Sequence, residues 1–483
     1  MRIALKETQL GLRNSFTRIP FRYGSACLTS CPQAILRILI EIDGKQHRGY
    51  SGDCLPPGWF DKSPEKDYQQ QINEMLAAIS LAEQTFLDEL GKPTDFFPAW
   101  MRVYSRMMQA ADEHAWEPLL ASFGLSMVER AVLDAMARAA QVSFATAVRE
   151  NLYGLDPGKI HQDLAGLTVA AWLPERPSQT MYVRHTVGLA DPLTAADIPK
   201  EELLNDGFPQ SLEDYITQTG IRYFKIKVSN DQDHSLQRLA SISDLIERHC
   251  TADYQVTLDG NEQFARAEDF IAFLEASRSH PKLEKLLAAT LAIEQPLERK
   301  IALDPTHAMG IREICQFKPV IIDESDSTVD AYPRAIELGY RGTSSKNCKG
   351  PIKSLMNAGL TWLHNARGSS NDYLITGEDL CCVGIVPVQA DLCLVATMGL
   401  THVERNGHHY HRGLSYLATS EQQKALAAHG DFYTERQGVV GPRLNDGKFE
   451  IGSLQCIGFG FSIEPDFDSL QTPTEWEFAS LGL

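Results

Sequence analysis

From about residue 181 the chain repeats one arrangement: a short apolar strand, a polar residue at its end, a helical stretch, then another strand. The strand candidates are MYVRHTVG (181–188), YFKIKV (223–228), YQVTLD (254–259), LAIE (291–294), PVIID (319–323), RGTSSK (341–346), YLITGE (373–378) and THVE (401–404). Five end residues, Lys227, Asp259, Glu294, Asp323 and Lys346, follow at intervals of 32, 35, 29 and 23 residues. Parallel strands need a crossover connection, usually a helix, and one βαβ unit takes roughly 30 residues. Eight such strands predict an α/β barrel, (β/α)8-like or (β/α)7β. A doubly wound open sheet is the competing arrangement, but no G-x-G-x-x-G follows a strand to support it.

The second strand holds a local conflict. Side chains alternate between the two faces of a strand. Lys225 and Lys227 therefore share one face, and Phe224, Ile226 and Val228 share the other. The apolar face suits a packed layer. The lysine face needs water, carboxylates or a ligand, because a buried unpaired charge is costly. Asp259, Glu294 and Asp323 end three consecutive strands, and in a barrel such ends converge on one mouth. Each acid alone reads as a loop or N-cap residue. Together they would repel one another unless a cation lies between them, and oxygen ligands without His or Cys suit Mg2+ or Mn2+.

The first 150 residues differ. AILRILIEIDGKQHRGYSG (34–52) reads as two strands joined at Asp43-Gly44. SMVERAVLDAMARAAQVSFATAV (126–148) reads as a helix starting in a capping box, Ser126 and Glu129. The segment 86–120 is larger than a simple covering domain requires. After about 420, strand and turn patterns return. The expected division is an α+β domain (1–175), the barrel (176–420) and a C-terminal segment returning to the first domain (421–483).

Composition narrows the partners. The formal charge of −18 argues against nucleic acid or an anionic membrane. No apolar run is long enough to span a bilayer, and the first residues lack a signal-peptide core. Ten cysteines without C-x-x-C pairs suit reduced thiols, so a cytoplasmic location is expected.

The motifs KIK (225–227), LDGNEQF (258–264), IEQPL (293–297), IIDES (321–325) and SSKNCKG (344–350) together resemble the enolase superfamily. The similarity is to its mandelate racemase/muconate lactonizing enzyme family, nearest the muconate lactonizing enzyme subgroup, and it implies that the first domain is a capping domain over the barrel, completed by the C-terminal tail. The resemblance implies Asp259, Glu294 and Asp323 as ligands of Mg2+, or Mn2+. It implies Lys227 and Lys346 as acid/base groups, Lys225 beside the substrate carboxylate, and Asn261 and Glu324 supporting the ligands. The implied chemistry removes the α-proton of a small carboxylate substrate to give an enediolate. Racemisation or epimerisation, cycloisomerisation or dehydration would follow. The neighbouring cation Lys225 and the implied metal are together expected to lower the Lys227 pKa. A metal-free Schiff-base lyase and a non-catalytic metal-binding barrel are the alternatives, and assembly as a homo-oligomer is compatible with all three.

The sequence departs from the family after Lys346, where Cys348-Lys349-Gly350 stands instead of the frequent Gly-Gly. Lys349 thus rivals Lys346. Candidates for substrate selection are FRYG (21–24), Asp53, Trp59 and Phe60 in the cap, and Glu404, Asn406 and His408 after the eighth strand. His408, His409 and His411 read as a solvated loop rather than a metal site, and His185 as a packed or supporting residue.

Overall fold

The computed structural model describes residues 1–23, 26–368, 372–380 and 382–483. Gly24 of FRYG and Cys381 lie outside the described residues. An antiparallel sheet opens the chain: β1 (Arg2–Tyr23), β2 (Ala26–Ile42), β3 (Lys45–Cys54) and a two-residue β4 (Thr94–Asp95), in the order β3-β2-β1-β4. Ile42 pairs with Lys45, and Asp43 and Gly44 between them have φ of 50° and 76°. Two positive φ values match the type I′ turn of a two-residue hairpin, the Asp-Gly signal in the sequence.

Three helices pack with this sheet: α1 (Tyr68–Leu90), α2 (Phe96–Glu113) and α3 (Pro118–Ala139). Every residue of α3 from Leu119 to Ala137 is buried, so it is the core of the cap. The expected start at Ser126 is wrong. The helix begins eight residues earlier, with Pro118 in its first turn, where a missing N–H costs nothing. Ser126 Oγ instead donates to Phe123 O at 2.8 Å. The expected helix over 126–148 is also divided. Gln141 takes φ 56°, and Ser143 caps a new helix, α4 (Phe144–Arg149).

The segment 86–120 supplies α2 and an aromatic ladder, Phe97–Trp100–Tyr104, with centroids 6.0 and 5.6 Å apart. Tyr104 OH accepts from Val329 N at 3.0 Å, which ties α2 to a barrel loop.

The barrel strands follow in chain order: β5 (Thr180–Val187), β6 (Tyr223–Lys227), β7 (Gln255–Asp259), β8 (Thr290–Glu294), β9 (Val320–Ile322), β10 (Gly342–Ser345), β11 (Leu374–Gly377) and β12 (His402–Glu404). All are parallel to their neighbours, and β12 pairs back onto β5 through Val403 and Val183. The open-sheet alternative is thereby excluded. Phe224 and Ile226 are fully buried on the strand face opposite the lysines. Between β9 and β10 the helix Ala331–Leu338 carries Pro333 in its first turn and stops at Gly339, φ 116°. The short strand Lys448–Glu450 lies antiparallel to β5. Beyond it the chain meets the cap sheet, where Leu12 and Gln471 exchange backbone hydrogen bonds of 2.8 and 2.9 Å. Among the described residues no helix is long and apolar enough to cross a membrane.

Glu129 is fully buried inside α3, accepting from Trp100 Nε1 at 3.0 Å and Ile352 N at 2.8 Å. Burial pushes its carboxyl up to about 7, against these hydrogen bonds and the nearby Arg130. A raised carboxyl contributes stability that is complete below its unfolded value and lost as pH rises through about 7. Glu129→Gln is expected to remove that slope, worth about 3 kcal/mol. Urea midpoints of both proteins between pH 5 and 8 check this, and parallel pH curves would refute it.

Candidate active site

The pairing register brings the polar strand ends to one level: Lys227 opposite Asp259, and Asp259 opposite Glu294. Lys225, one pleat deeper and 2% exposed, lies among four carboxylates. Its Nζ is 2.6 Å from Glu378, 2.7 Å from Glu294, 3.0 Å from Glu404 and 3.1 Å from Asp259. Lys227 Nζ donates to Asp259 at 2.6 Å. Across the mouth, Asp323 receives Lys346 at 2.7 Å and Lys349 at 2.8 Å. Ser344 Oγ also donates to Asp323, and Arg184 pairs with Glu378.

These contacts set the charges. Burial raises Glu294 to about 7, with Asp259 and Asp323 adding to the rise and Lys225 opposing it. Burial, and Glu294 beside it, drive Glu378 well above the carboxylate range. Burial also acts to raise Asp259, Asp323 and Glu404, but the lysines outweigh it and hold all three low. Burial lowers Lys227 and Lys346, yet Asp259 and Asp323 reverse this and raise both. Lys225 does act to lower the Lys227 pKa, as expected, but Asp259 at 2.6 Å acts more strongly in the opposite direction.

A cavity of about 50 Å3 lies above these groups. Thr186, Lys225, Lys227, Asn261, Asp323, Lys346, Glu404 and Asn406 form its barrel side. Phe21, Tyr23, Pro56, Trp59 and Lys62 cover it from the cap. Arg299 holds the covering loop down by donating to Trp59 O at 3.0 Å and Phe60 O at 2.9 Å, while its guanidinium pairs with Glu262 at 2.7 Å. The loop after β7 turns through Asn261 (φ 43°) and Glu262 (φ 65°). Asp259 Oδ1 accepts Asn261 N at 2.7 Å, which stabilises a backbone that Asn tolerates better than most residues. Asn261 then donates to Glu324 at 3.1 Å.

Three sequence candidates lie elsewhere. Asp53 is 1% exposed and paired with Arg130 of α3 at 3.0 Å, so it is a buried cap residue and not a handle for substrate. Phe60 turns away from the mouth and packs on Phe123 at 4.7 Å. His408 packs beside His185 and His409, outside the lining of the mouth. Its segment is not a solvated loop, since His409 and His411 are each 4% exposed. Sequence reasoning missed Glu378, Asp379, Lys62 and Thr186. Glu378 carried the same signal as the acids that were chosen, a carboxylate at the end of YLITGE.

The donor set can be tested against the ion that the resemblance implies. Asp259, Glu294 and Asp323 offer only hard oxygen donors, and Glu294 Oε2 is buried without a hydrogen-bond partner. The residues fit a hard divalent cation. They are not closed around a common point: among the described residues, the group of His, Cys, Asp and Glu whose ligand atoms converge within 4.8 Å is His185, His408 and His409. The lysines hold the three carboxylates in the observed arrangement.

No family model matches the chain, and neither does any curated protein. Solved structures do match, at the level of fold. A dipeptide epimerase from Enterococcus faecalis V583, complexed with Mg and L-Leu-L-Tyr, aligns at TM-score 0.61 and 15% identity over 96% of this chain and 100% of the other. A muconate lactonizing enzyme from Pseudomonas fluorescens, complexed with muconolactone, aligns at 0.60 and 14% over 95% and 97%. An enolase from Bradyrhizobium, complexed with magnesium and mandelic acid, aligns at 0.54 and 15% over 93% of each chain. The chain thus has the enolase-superfamily fold, a closed parallel barrel with a capping domain.

Lys225→Met should leave four buried carboxylates without their shared cation. Removing one partner of a buried ion pair typically costs about 3–5 kcal/mol. Urea unfolding at pH 7.5 should show a loss of that order, and a loss below about 1 kcal/mol would contradict it.

Proposed function

We propose that this chain is a divalent-metal-dependent enzyme that removes the α-proton of a carboxylate substrate and returns a proton to the same carbon, a racemase or epimerase. The observation that carries the reading is the pair Lys227 and Lys346 lining one cavity from strands four places apart in a ring of eight. Four places in eight is opposite, so a flat reacting carbon between them meets an amine on each face.

Asp259, Glu294 and Asp323 would hold Mg2+, which supplies positive charge for the oxygens of the deprotonated carboxylate. The remaining work belongs to the side chains. Lys227 takes a proton from one face, and Lys346 delivers one to the other. Lys227 must first leave Asp259, because a lysine hydrogen-bonded to an anion stays protonated, whereas Lys346 beside Asp323 is already in the protonated form that delivers a proton; for the other enantiomer the two roles exchange. Lys225 keeps the surrounding carboxylates together and remains charged, since they raise its pKa well above the ordinary value against the effect of burial. The Trp59 ring lies 4.4 Å from Lys346 Nζ and covers that ammonium from the cap side.

The cavity also supports a substrate with two unlike ends. Its barrel side is charged, and Phe21, Tyr23, Trp59 and Leu380 make the distal side largely apolar. A carboxylate bearing an apolar or aromatic distal group suits that division. Structural neighbours with dipeptide, muconolactone and mandelic acid ligands support a first panel of dipeptides, N-acyl amino acids and 2-hydroxy acids.

Solvent-deuterium exchange at the α-carbon, followed by NMR on each enantiomer separately, tests the reading. EDTA should stop exchange. Lys227→Ala should lose exchange from one enantiomer by about 10²–10⁴-fold, and Lys346→Ala from the other. Equal loss from both enantiomers in both variants would refute the two-sided mechanism. Full activity in Lys346→Ala with loss in Lys349→Ala would move the role to Lys349.

The cap should set preference among substrates. Trp59→Ala and Tyr23→Ala are expected to change the ranking of distal groups by roughly tenfold in kcat/KM while leaving the stereochemical outcome intact. Steady-state kinetics across the panel checks this.

A further inference from the structure

A second cluster lies on the outer side of the barrel wall. On β5, Thr186 lines the mouth, and His185 next to it points the other way, as strand alternation requires. Beyond β12 the helical turn Gly407–Tyr410 brings His408 and His409 against His185. The ring centroids are 4.4 Å apart for His185–His409, 4.9 Å for His408–His409 and 5.5 Å for His185–His408. One nitrogen from each ring falls within 4.8 Å of the other two.

Ring stacking alone leaves part of this arrangement unexplained. Packing satisfies the faces of the rings, including His185 on Tyr215 at 4.5 Å. It does nothing for the nitrogens, which lie in the ring plane. His185 and His409 are each 4% exposed, and Nδ1 of both is buried without a hydrogen-bond partner. Buried polar atoms of this kind need a partner. Burial also holds all three imidazoles neutral, the form that binds metal. Arg18 faces the cluster and donates to His409 O at 3.3 Å, but its guanidinium is committed to Asp206 at 2.6 Å.

We propose that His185, His408 and His409 form a metal site separate from the carboxylates, taking a first-row ion of borderline softness, Zn2+ in kind. Three imidazoles are a zinc donor set with one position left for water or another ligand. His185 and His409 line a cleft of about 550 Å3 and His408 and His409 a second of about 150 Å3, which gives an ion a route to the rings. Zinc–nitrogen bonds near 2.1 Å require each nitrogen to move inward by at most roughly 0.7 Å, within the reach of a ring rotation. An ion there would tie the first barrel strand to the turn after the last, across the seam where the ring closes.

Co2+ is the direct probe. In a four-coordinate nitrogen site it absorbs strongly in the visible, whereas among six oxygens it absorbs weakly. Full-length protein freed of metal by chelator should develop a strong band with Co2+, lose it to Zn2+ and keep it in excess Mg2+. His408→Gln should weaken Co2+ binding at least tenfold. His408 is the partly exposed member of the three, so its replacement least disturbs packing. Far-UV circular dichroism verifies the fold, and His185→Gln should give the same loss. Absence of the band in the wild type would overturn the proposal. So would an unchanged band in folded His408→Gln.

Discussion

The mouth of the barrel depends on one ammonium group set among acids. Lys225 Nζ lies within 3.1 Å of Asp259, Glu294, Glu378 and Glu404. Barrel closure forces these acids together, because every strand end converges on the same rim. Two like charges about 4 Å apart repel by roughly 4 kcal/mol at an effective dielectric constant of 20, so four carboxylates cannot ionise side by side unassisted. Lys225 answers part of that load, and Arg184 answers Glu378 from the neighbouring strand. Lys346 and Lys349 do the same for Asp323. The result is an array of alternating charge rather than a bare acidic pocket. Glu294, raised to about 7 with one oxygen unpartnered, is the place where that array is least complete.

Distances, not composition, decide how that array treats its lysines. Lys225 does oppose the charge on Lys227, as its proximity in the sequence suggests. The 2.6 Å contact with Asp259 is stronger and reverses the sign. A lysine two residues away along a strand is legible in the sequence. The carboxylate 32 residues on that faces it in register is legible only once the strands are paired.

The same distinction separates what could be read from what could not. The barrel was legible because apolar runs ending in polar residues recur at the length of a βα unit, and the ends became the mouth. The Asp43-Gly44 hairpin was legible because few residues accept positive φ. Ser126 and Glu129 misled because S-x-x-E also arises inside a helix; Pro118, eight residues earlier, was the better start signal. Asp53 and Phe60 stand close in sequence to Trp59, yet their partners Arg130 and Phe123 are on α3, more than 60 residues away. Nothing local distinguishes a loop side chain that turns toward a cavity from one that turns into the core. The histidines after β12 looked solvated because polar residues dominate THVERNGHHYHRG, and only the fold reveals that β1 and β5 cover them.

That last segment carries an argument of its own. Glu404 and Asn406 look into the mouth, where Asn406 donates to Glu404 at 3.1 Å and to Asp379 at 3.2 Å. Between them Arg405 points away and is buried with Asp379 and Asp391 at 2.9 and 3.0 Å. Two residues further on, His408 and His409 meet His185. Six residues thus serve three separate environments, and the alternation of the chain keeps them apart. Asp379 touches two of these environments through Asn406 and Arg405. A movement of the histidine turn therefore has a short covalent path to Asn406, and through it to Glu404 and Lys225. The outer face of the seam and the inner face of the mouth thus share one strand end, while the Glu404 carboxylate itself is held by Lys225, Thr186 and Asn406.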